Sequence, residues 1–107
     1  MTQFNQREKA FEAKFQKDQE LQFKVTARRN KLLGLWVAQQ LGLEGGDAEA
    51  YAKEVVASDF EEPGDDDVLR KVMHDIEAKN IALTERSVRT EMVRLMDQAK
   101  SEMAAQS

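Results

Sequence analysis

The chain has 107 residues and a formal net charge of −4, and 41% of its residues are hydrophobic. This length suits a single domain with a modest core, which leaves little room for a deep enzyme cleft. Because the chain has no cysteine, disulfides, thiolate metal sites and cysteine nucleophiles are excluded. The sequence contains no apolar run of membrane-spanning length and no secretory signal, so we expect a soluble cytoplasmic protein.

Charge is divided unevenly along the chain. Residues 1–31 contain eight Lys or Arg and four Asp or Glu, whereas the remaining 76 residues contain eight and sixteen. Such asymmetry suggests that one part of the chain binds a partner. Because the basic part mixes both signs at nearly every turn, its pattern does not favour nucleic acid as that partner.

The first predicted element is an amphipathic segment, residues 1–19. Its apolar stripe at helical spacing consists of Phe4, Phe11 and Phe15. The next stripe consists of Leu21, Val25, Leu32 and Trp36. At about 100° per residue the two stripes differ in direction by roughly 70°, and residues 16–20 between them hold no apolar side chain. We therefore expect the second stripe to face the core and the first to contact a partner, with packing of the phenylalanines back onto the domain as the alternative.

Two helices are predicted next. The first runs from about Glu20 to Leu41 and ends at Gly42 as a glycine C′ residue, while Gly34 inside it indicates a close contact with another helix. The second runs from Ala48 to about Asp59, with Asp47 as its N-cap.

Two further helices complete the prediction. Asp65 to Asp67 supply the N-cap and an acidic first turn to the third helix, and Thr84 is the N-cap of the fourth. No stretch alternates apolar and polar residues as a half-buried strand does, and short connections favour antiparallel neighbours. We predict an all-α protein in which residues 20–107 form a four-helix bundle and residues 1–19 are mobile when free.

No motif predicts catalysis or metal binding. The acidic run from Asp59 to Asp67 lacks the ligand spacing of a calcium loop, and the glycines from Gly42 to Gly46 are not followed by the Lys and Ser or Thr of a phosphate loop. His74 is the one histidine and has no partner at a recognisable spacing. We therefore predict no catalytic residue, no metal and no cofactor. Nucleotide binding in a surface pocket is left open, and the basic cluster from Ala27 to Lys31 is interpreted as a solvated helix face.

Several blocks of sequence resemble one known family. They are Arg7-x-x-x-Phe11-Glu12-Ala13-Lys14-Phe15, Asp18-x-Glu20-x-x-Phe23, Ala27-Arg28-Arg29-Asn30-Lys31-Leu32-Leu33-Gly34-Leu35-Trp36, Ala50-Tyr51-Ala52-Lys53 and Val55-Val56-Ala57-Ser58-Asp59-Phe60-Glu61-Glu62. Together they resemble the zeta subunit of bacterial F-type ATP synthases, a family of small ATPase inhibitors. The resemblance covers essentially the whole chain.

The resemblance implies a regulatory inhibitor rather than an enzyme. In that family a mobile N-terminal segment on a four-helix bundle inserts as a helix into the catalytic interface of the ATPase head and blocks hydrolysis while sparing synthesis. The implied partners are the alpha, beta and gamma subunits, at a cytoplasmic location peripheral to the inner membrane, without membrane insertion. The alternative is a small helical ligand- or nucleotide-binding bundle without inhibitory activity. From their side-chain chemistry, the partner-binding residues we choose are Phe4, Arg7, Phe11, Lys14 and Phe15.

Overall fold

The computed structural model describes residues 2–59 and 64–106, and for residues 2–8 it describes the backbone alone. These ranges form five helices and no strand: α1 (Thr2–Lys17), α2 (Gln19–Gln40), α3 (Gly45–Ser58), α4 (Asp66–Ala78) and α5 (Glu85–Gln106). The all-α prediction is confirmed, with one helix more than the four predicted because the N-terminal segment is itself helical. Within the described part of the chain, no helix is both long and apolar enough to cross a membrane.

α1 and α2 are separate helices because Asp18 interrupts them. Asp18 has extended backbone angles (φ −105°, ψ 105°), and its carboxylate accepts hydrogen bonds from the backbone N–H groups of Glu20 at 3.0 Å and Leu21 at 3.2 Å. It is therefore the N-cap of α2. The side-chain amide of Gln22 donates a hydrogen bond to the carbonyl oxygen of Phe15 at 2.8 Å, so the end of α1 is also tied to the first turn of α2.

α2 ends where the sequence predicts. Gly42 has a φ of 80°, its N–H donates to the carbonyl of Gln39 at 3.1 Å, and the N–H of Leu43 donates to the carbonyl of Ala38 at 2.9 Å. These two bonds form a Schellman motif, which places glycine at C′. α4 ends in the same way with Asn80, whose φ is 57°.

The start of α3 differs from the prediction. α3 begins at Gly45 with Glu44 in the N-cap position, three residues before the predicted start at Ala48. Asp47 is not the cap, because its N–H already donates to the carbonyl of Glu44 at 3.1 Å inside the first helical turn. Its carboxylate instead lies near the positive end of the helix dipole, where an acidic side chain is stabilising.

The starts of α4 and α5 follow the predicted positions. Asp65 is the N-cap residue of α4, although its side chain makes no capping hydrogen bond. Thr84 caps α5: its Oγ1 accepts from the N–H of Ser87 at 3.1 Å, and its own N–H donates to the Oγ of Ser87 at 3.1 Å. This reciprocal pair satisfies two donors that a helix start otherwise leaves without partners.

α2, α3, α4 and α5 pack around a shared core. Its largest buried members are Leu33, Val37, Tyr51, Val55, Val68, Leu69, Val72, Ile76, Val88, Met92 and Leu95. The contact predicted at Gly34 lies between α2 and α3, because a Cβ added there would be 2.6 Å from the Cα of Ala52. Only glycine lets the two backbones approach so closely. Leu21, Leu32 and Trp36 are partly buried at the edge of the apolar clusters rather than at the centre.

Candidate partner-binding site

α1 docks onto α2 and α5 through Phe11. This side chain is 7% exposed and forms a small apolar cluster with Val25 of α2 and with Ala99 and Ala104 of α5. The cluster is separate from the main core. Phe11 and Phe15 of the first apolar stripe therefore contact the rest of the domain in this conformation, as in the alternative that the sequence left open.

Lys100 of α5 adds two polar contacts to this docking. Its Nζ lies 3.2 Å from Glu12 Oε1 and 4.5 Å from the centroid of the Phe15 ring. The Glu12 side chain is 45% exposed, so the ion pair contributes less than about 1 kcal/mol. A cation over an aromatic ring at a partly exposed site contributes about 0.5–1 kcal/mol. We call Phe11, Glu12, Phe15 and Lys100 the docking contact.

Two clefts lie beside Phe11. One, of about 250 Å³, lies against α5 and is lined by Glu12, Asp97, Lys100, Ser101 and Ala104 as well as Phe11. The other, of about 230 Å³, is lined by Phe11, Lys14, Leu21, Met103 and Gln106. Because close packing supplies much of the benefit of burying an aromatic ring, Phe11 contributes toward the lower end of the usual range of about 1.5–3 kcal/mol. An isolated helix as short as α1 is marginal in water, so these few contacts decide whether it stays docked.

The five residues chosen for partner binding fall into three groups. The side chains of Phe4 and Arg7 lie outside the described residues, although their backbone belongs to α1. Lys14 is exposed in the last turn of α1, where a positive charge suits the helix dipole. Phe11 and Phe15 are in the docking contact. The expectation that these two rings face away from the domain is wrong for this conformation, because the interruption at Asp18 removes the fixed angle between the two stripes.

The basic cluster at residues 27–31 also differs from the prediction. Arg29 is 2% exposed rather than solvated, and its guanidinium donates to Asp65 Oδ1 at 2.6 Å and to Asn30 Oδ1 at 2.7 Å. The neighbouring Arg28 pairs with Glu102 of α5 at 2.7 Å. A sequence signal for the burial of Arg29 did exist, because it lies on the row of residues spaced by four that includes Val25, Leu33 and Val37.

Arg29 is the centre of a polar cluster at the connection between α3 and α4. Burial raises the pKa of Asp59, the C-cap of α3, and the nearby positive charge of Arg29 offsets part of that rise. Asp67 in the first turn of α4 is buried. The cluster connects α2, α3 and α4. Among the described residues, no group of three or more acidic or histidine side chains is arranged to hold a metal ion. His74 is exposed on α4, away from this cluster.

Comparisons with known proteins agree with the sequence resemblance. A solved structure, a solution NMR structure of a protein with 49% sequence identity, matches with a TM-score of 0.73 over 81% of this chain and 99% of that chain. A search of curated proteins gave no match. The family model of the ATPase inhibitor subunit zeta matches residues 1–102. Since this match spans nearly the whole chain, the chain belongs to the ATPase inhibitor subunit zeta family.

Proposed function

We propose that this chain inhibits ATP hydrolysis by an F-type ATP synthase by inserting α1 into the catalytic interface of the ATPase head. The observation that carries the proposal is the match of residues 1–102 to the zeta inhibitor family. That family is regulatory and non-enzymatic, and membership implies an interaction with an F-type ATPase. In the proposed complex α1 lies between an alpha and a beta subunit and opposes rotation of the gamma subunit.

The proposal requires α1 to leave the rest of the domain while α2 to α5 stay folded as a four-helix bundle. Two features support this separation. The main core is built from α2, α3, α4 and α5, and it contains none of the α1 residues whose side chains the structure describes, which are residues 9–17. α2 also has its own N-cap in Asp18, which accepts from the backbone N–H groups of Glu20 and Leu21, so these two donors do not depend on α1. In the free protein α1 then exchanges between its docked position and a released, mobile one, and the released segment binds the partner as a helix.

The proposed contacts are made by one apolar and basic face of α1. Phe4, Phe11 and Phe15 fill apolar pockets in the catalytic interface between the alpha and beta subunits. Burial of each ring contributes about 1.5–3 kcal/mol to binding before the cost of ordering the segment. Arg7 and Lys14 pair with acidic groups at its edge. A helix wedged in a closed interface opposes a stroke that must close it further, whereas the opposite stroke opens the interface and expels the helix. This asymmetry accounts for inhibition of hydrolysis without inhibition of synthesis.

The proposed location follows from the partner. Bound to the catalytic head, the chain is cytoplasmic and peripheral to the inner membrane, and it requires neither a membrane span nor a cofactor. Its interaction with the membrane is then indirect, through the ATP synthase alone.

Removal of α1 tests the proposal directly. We would delete residues 1–17, which retains the Asp18 cap of α2, and compare the truncated and full-length chains in ATP hydrolysis and ATP synthesis assays with the purified ATP synthase. We expect the full-length chain to inhibit hydrolysis alone and the truncated chain to inhibit neither reaction. Far-ultraviolet circular dichroism checks that the truncated chain keeps its helices. Equal inhibition by a folded truncated chain would refute insertion of α1.

A further inference from the structure

We propose that the docking of α1 on α2 and α5 is an autoinhibitory contact, which limits how much of the chain is competent to inhibit the ATPase. The inference rests on the proposed function and adds a regulatory step to it. The same rings, Phe11 and Phe15, serve the docked conformation and the proposed complex. The two conformations therefore exclude each other.

The geometry explains this exclusion. Phe11 is 7% exposed in the cluster with Val25, Ala99 and Ala104, so a partner cannot contact its ring while α1 is docked. The ammonium group of Lys100 lies 4.5 Å from the centroid of the Phe15 ring and occupies space next to that ring. Binding to the ATPase head then requires both contacts to break first. The apparent affinity of the chain for the ATPase head is therefore its intrinsic affinity multiplied by the fraction of chains in which α1 is undocked.

The contacts that hold α1 in the docked state are weak, so docking is reversible. The clefts of about 250 Å³ and 230 Å³ beside Phe11 show that α1 does not fill the surface on which it lies. Its ion pair with Lys100 is partly exposed, so water competes for both charged groups. The Asp18 carboxylate caps α2 through Glu20 and Leu21, and these bonds do not need α1 to be docked. Asp18 is therefore the hinge about which α1 leaves.

Lys100 is the residue that separates docking from partner binding. It belongs to α5, yet it contacts both Glu12 and Phe15 of α1. Lys100→Ala weakens docking and leaves every residue of α1 unchanged. The autoinhibitory contact thus predicts a variant that inhibits more strongly than the natural chain, whereas a purely structural role for Lys100 predicts no gain.

The first experiment measures potency and docking separately. Lys100→Ala is compared with Lys53→Ala, which removes an exposed lysine from α3. We expect the concentration for half-maximal inhibition of hydrolysis to fall about fivefold in Lys100→Ala, the factor for about 1 kcal/mol of lost docking. Amide hydrogen exchange in residues 9–17 of the free chain should quicken by a similar factor. Lys53→Ala should change neither quantity.

A second experiment fixes α1 in its docked position. Because the chain has no cysteine, the double variant Glu12→Cys with Lys100→Cys has two thiols that a short bis-maleimide can join. We expect the cross-linked chain to lose inhibition. The same variant capped with a mono-maleimide should inhibit at least as strongly as the natural chain, because it has also lost the Lys100 contact.

The outcomes distinguish this inference from the proposed function. The autoinhibitory contact is refuted, without affecting the proposed function, if Lys100→Ala leaves amide exchange unchanged or speeds exchange without increasing potency. Full inhibition by the cross-linked chain would refute it as well. Absence of inhibition by the natural chain refutes the proposed function, and the autoinhibitory role with it.

Discussion

The ion pair between Arg29 and Asp65, of which only Arg29 is buried, should respond asymmetrically to removal of its two members. Arg29 is 2% exposed, whereas the Asp65 side chain is 51% exposed. Asp65→Ala leaves the largely buried guanidinium of Arg29 without its ion-pair partner. Arg29→Met leaves a carboxylate that water can solvate, and it fills much of the vacated volume with an apolar side chain. The more exposed partner should therefore be the more costly one to remove.

The expected magnitudes follow from this difference. Breaking a buried pair so that one charge stays buried costs about 3–5 kcal/mol, and Asp65→Ala should lie near about 3 kcal/mol because Asp59 also interacts with Arg29. Asp65 makes no capping hydrogen bond, so loss of the N-cap adds little. Arg29→Met mainly leaves Asn30 Oδ1 without its donor, which costs about 1–2 kcal/mol.

Urea unfolding at pH 7 measures both variants, followed by circular dichroism and compared at equal slope. Asp65→Asn is the matched control, because it removes the charge and keeps the shape, and it should cost nearly as much as Asp65→Ala. Equal costs for Asp65→Ala and Arg29→Met, or a larger cost for Arg29→Met, would refute the argument that the buried guanidinium controls this cluster.

Two further predictions concern helix packing and pH. Gly34→Ala should lower the free energy of unfolding by about 1–3 kcal/mol, because its Cβ would lie 2.6 Å from a backbone Cα of α3. Gly46→Ala has open space around its Cβ and should raise the free energy of unfolding by up to about 1 kcal/mol. Urea unfolding compares the two variants. Hydrogen bonds from Gln98 and Arg28 lower the pKa of Glu102, so its contribution to stability is present above its usual pKa of 4.5 and is lost as the pH falls through the lowered value. The stability difference between the natural chain and Glu102→Gln should therefore be below about 1 kcal/mol at pH 7 and shrink as the pH falls below 4.5. A difference that grew on acidification would contradict this.

Helix ends set by local hydrogen bonds could be predicted from the sequence, whereas the start of α3, where no side chain makes a capping hydrogen bond, could not. Gly42 and Thr84 are examples of the first kind, because the preference of glycine for positive φ and of threonine for an N-cap depends on the adjacent backbone. The start of α3 was predicted three residues late, since Gly45 and Gly46 carry no apolar side chain and weaken the periodic pattern at that point. Gly34 was predicted correctly as a close contact, but its neighbour on α3 could be identified only in three dimensions.

The candidate site shows the same division. The sequence identified α1 as an amphipathic segment distinct from the core, and its residues could be chosen from side-chain chemistry alone. Docking of the phenylalanines was left open as the alternative, but the surface on which they dock could not be predicted. Lys100 and Ala104 are more than 80 positions from Phe11 and belong to a helix whose own pattern is that of an ordinary core stripe. The burial of Arg29 was missed because charged residues are seldom fully buried without a partner, and that partner, Asp65, is distant in sequence.

Asp18 connects the docked conformation of α1 with the released conformation that we propose. In one continuous helix over residues 2–40, the Phe11 and Phe15 stripe would be held at roughly 70° from the stripe that contains Val25, so the two stripes could not be oriented independently. With Asp18 in an extended conformation, each helix orients its own stripe, and docking becomes possible. The residue that allows α1 to pack on the domain is thus also the one that lets it leave without disturbing α2. A helix that docks on its own domain and is released to bind a partner requires such an interruption at its boundary. Here the N-cap residue Asp18 provides the interruption, and its carboxylate accepts two backbone hydrogen bonds from α2.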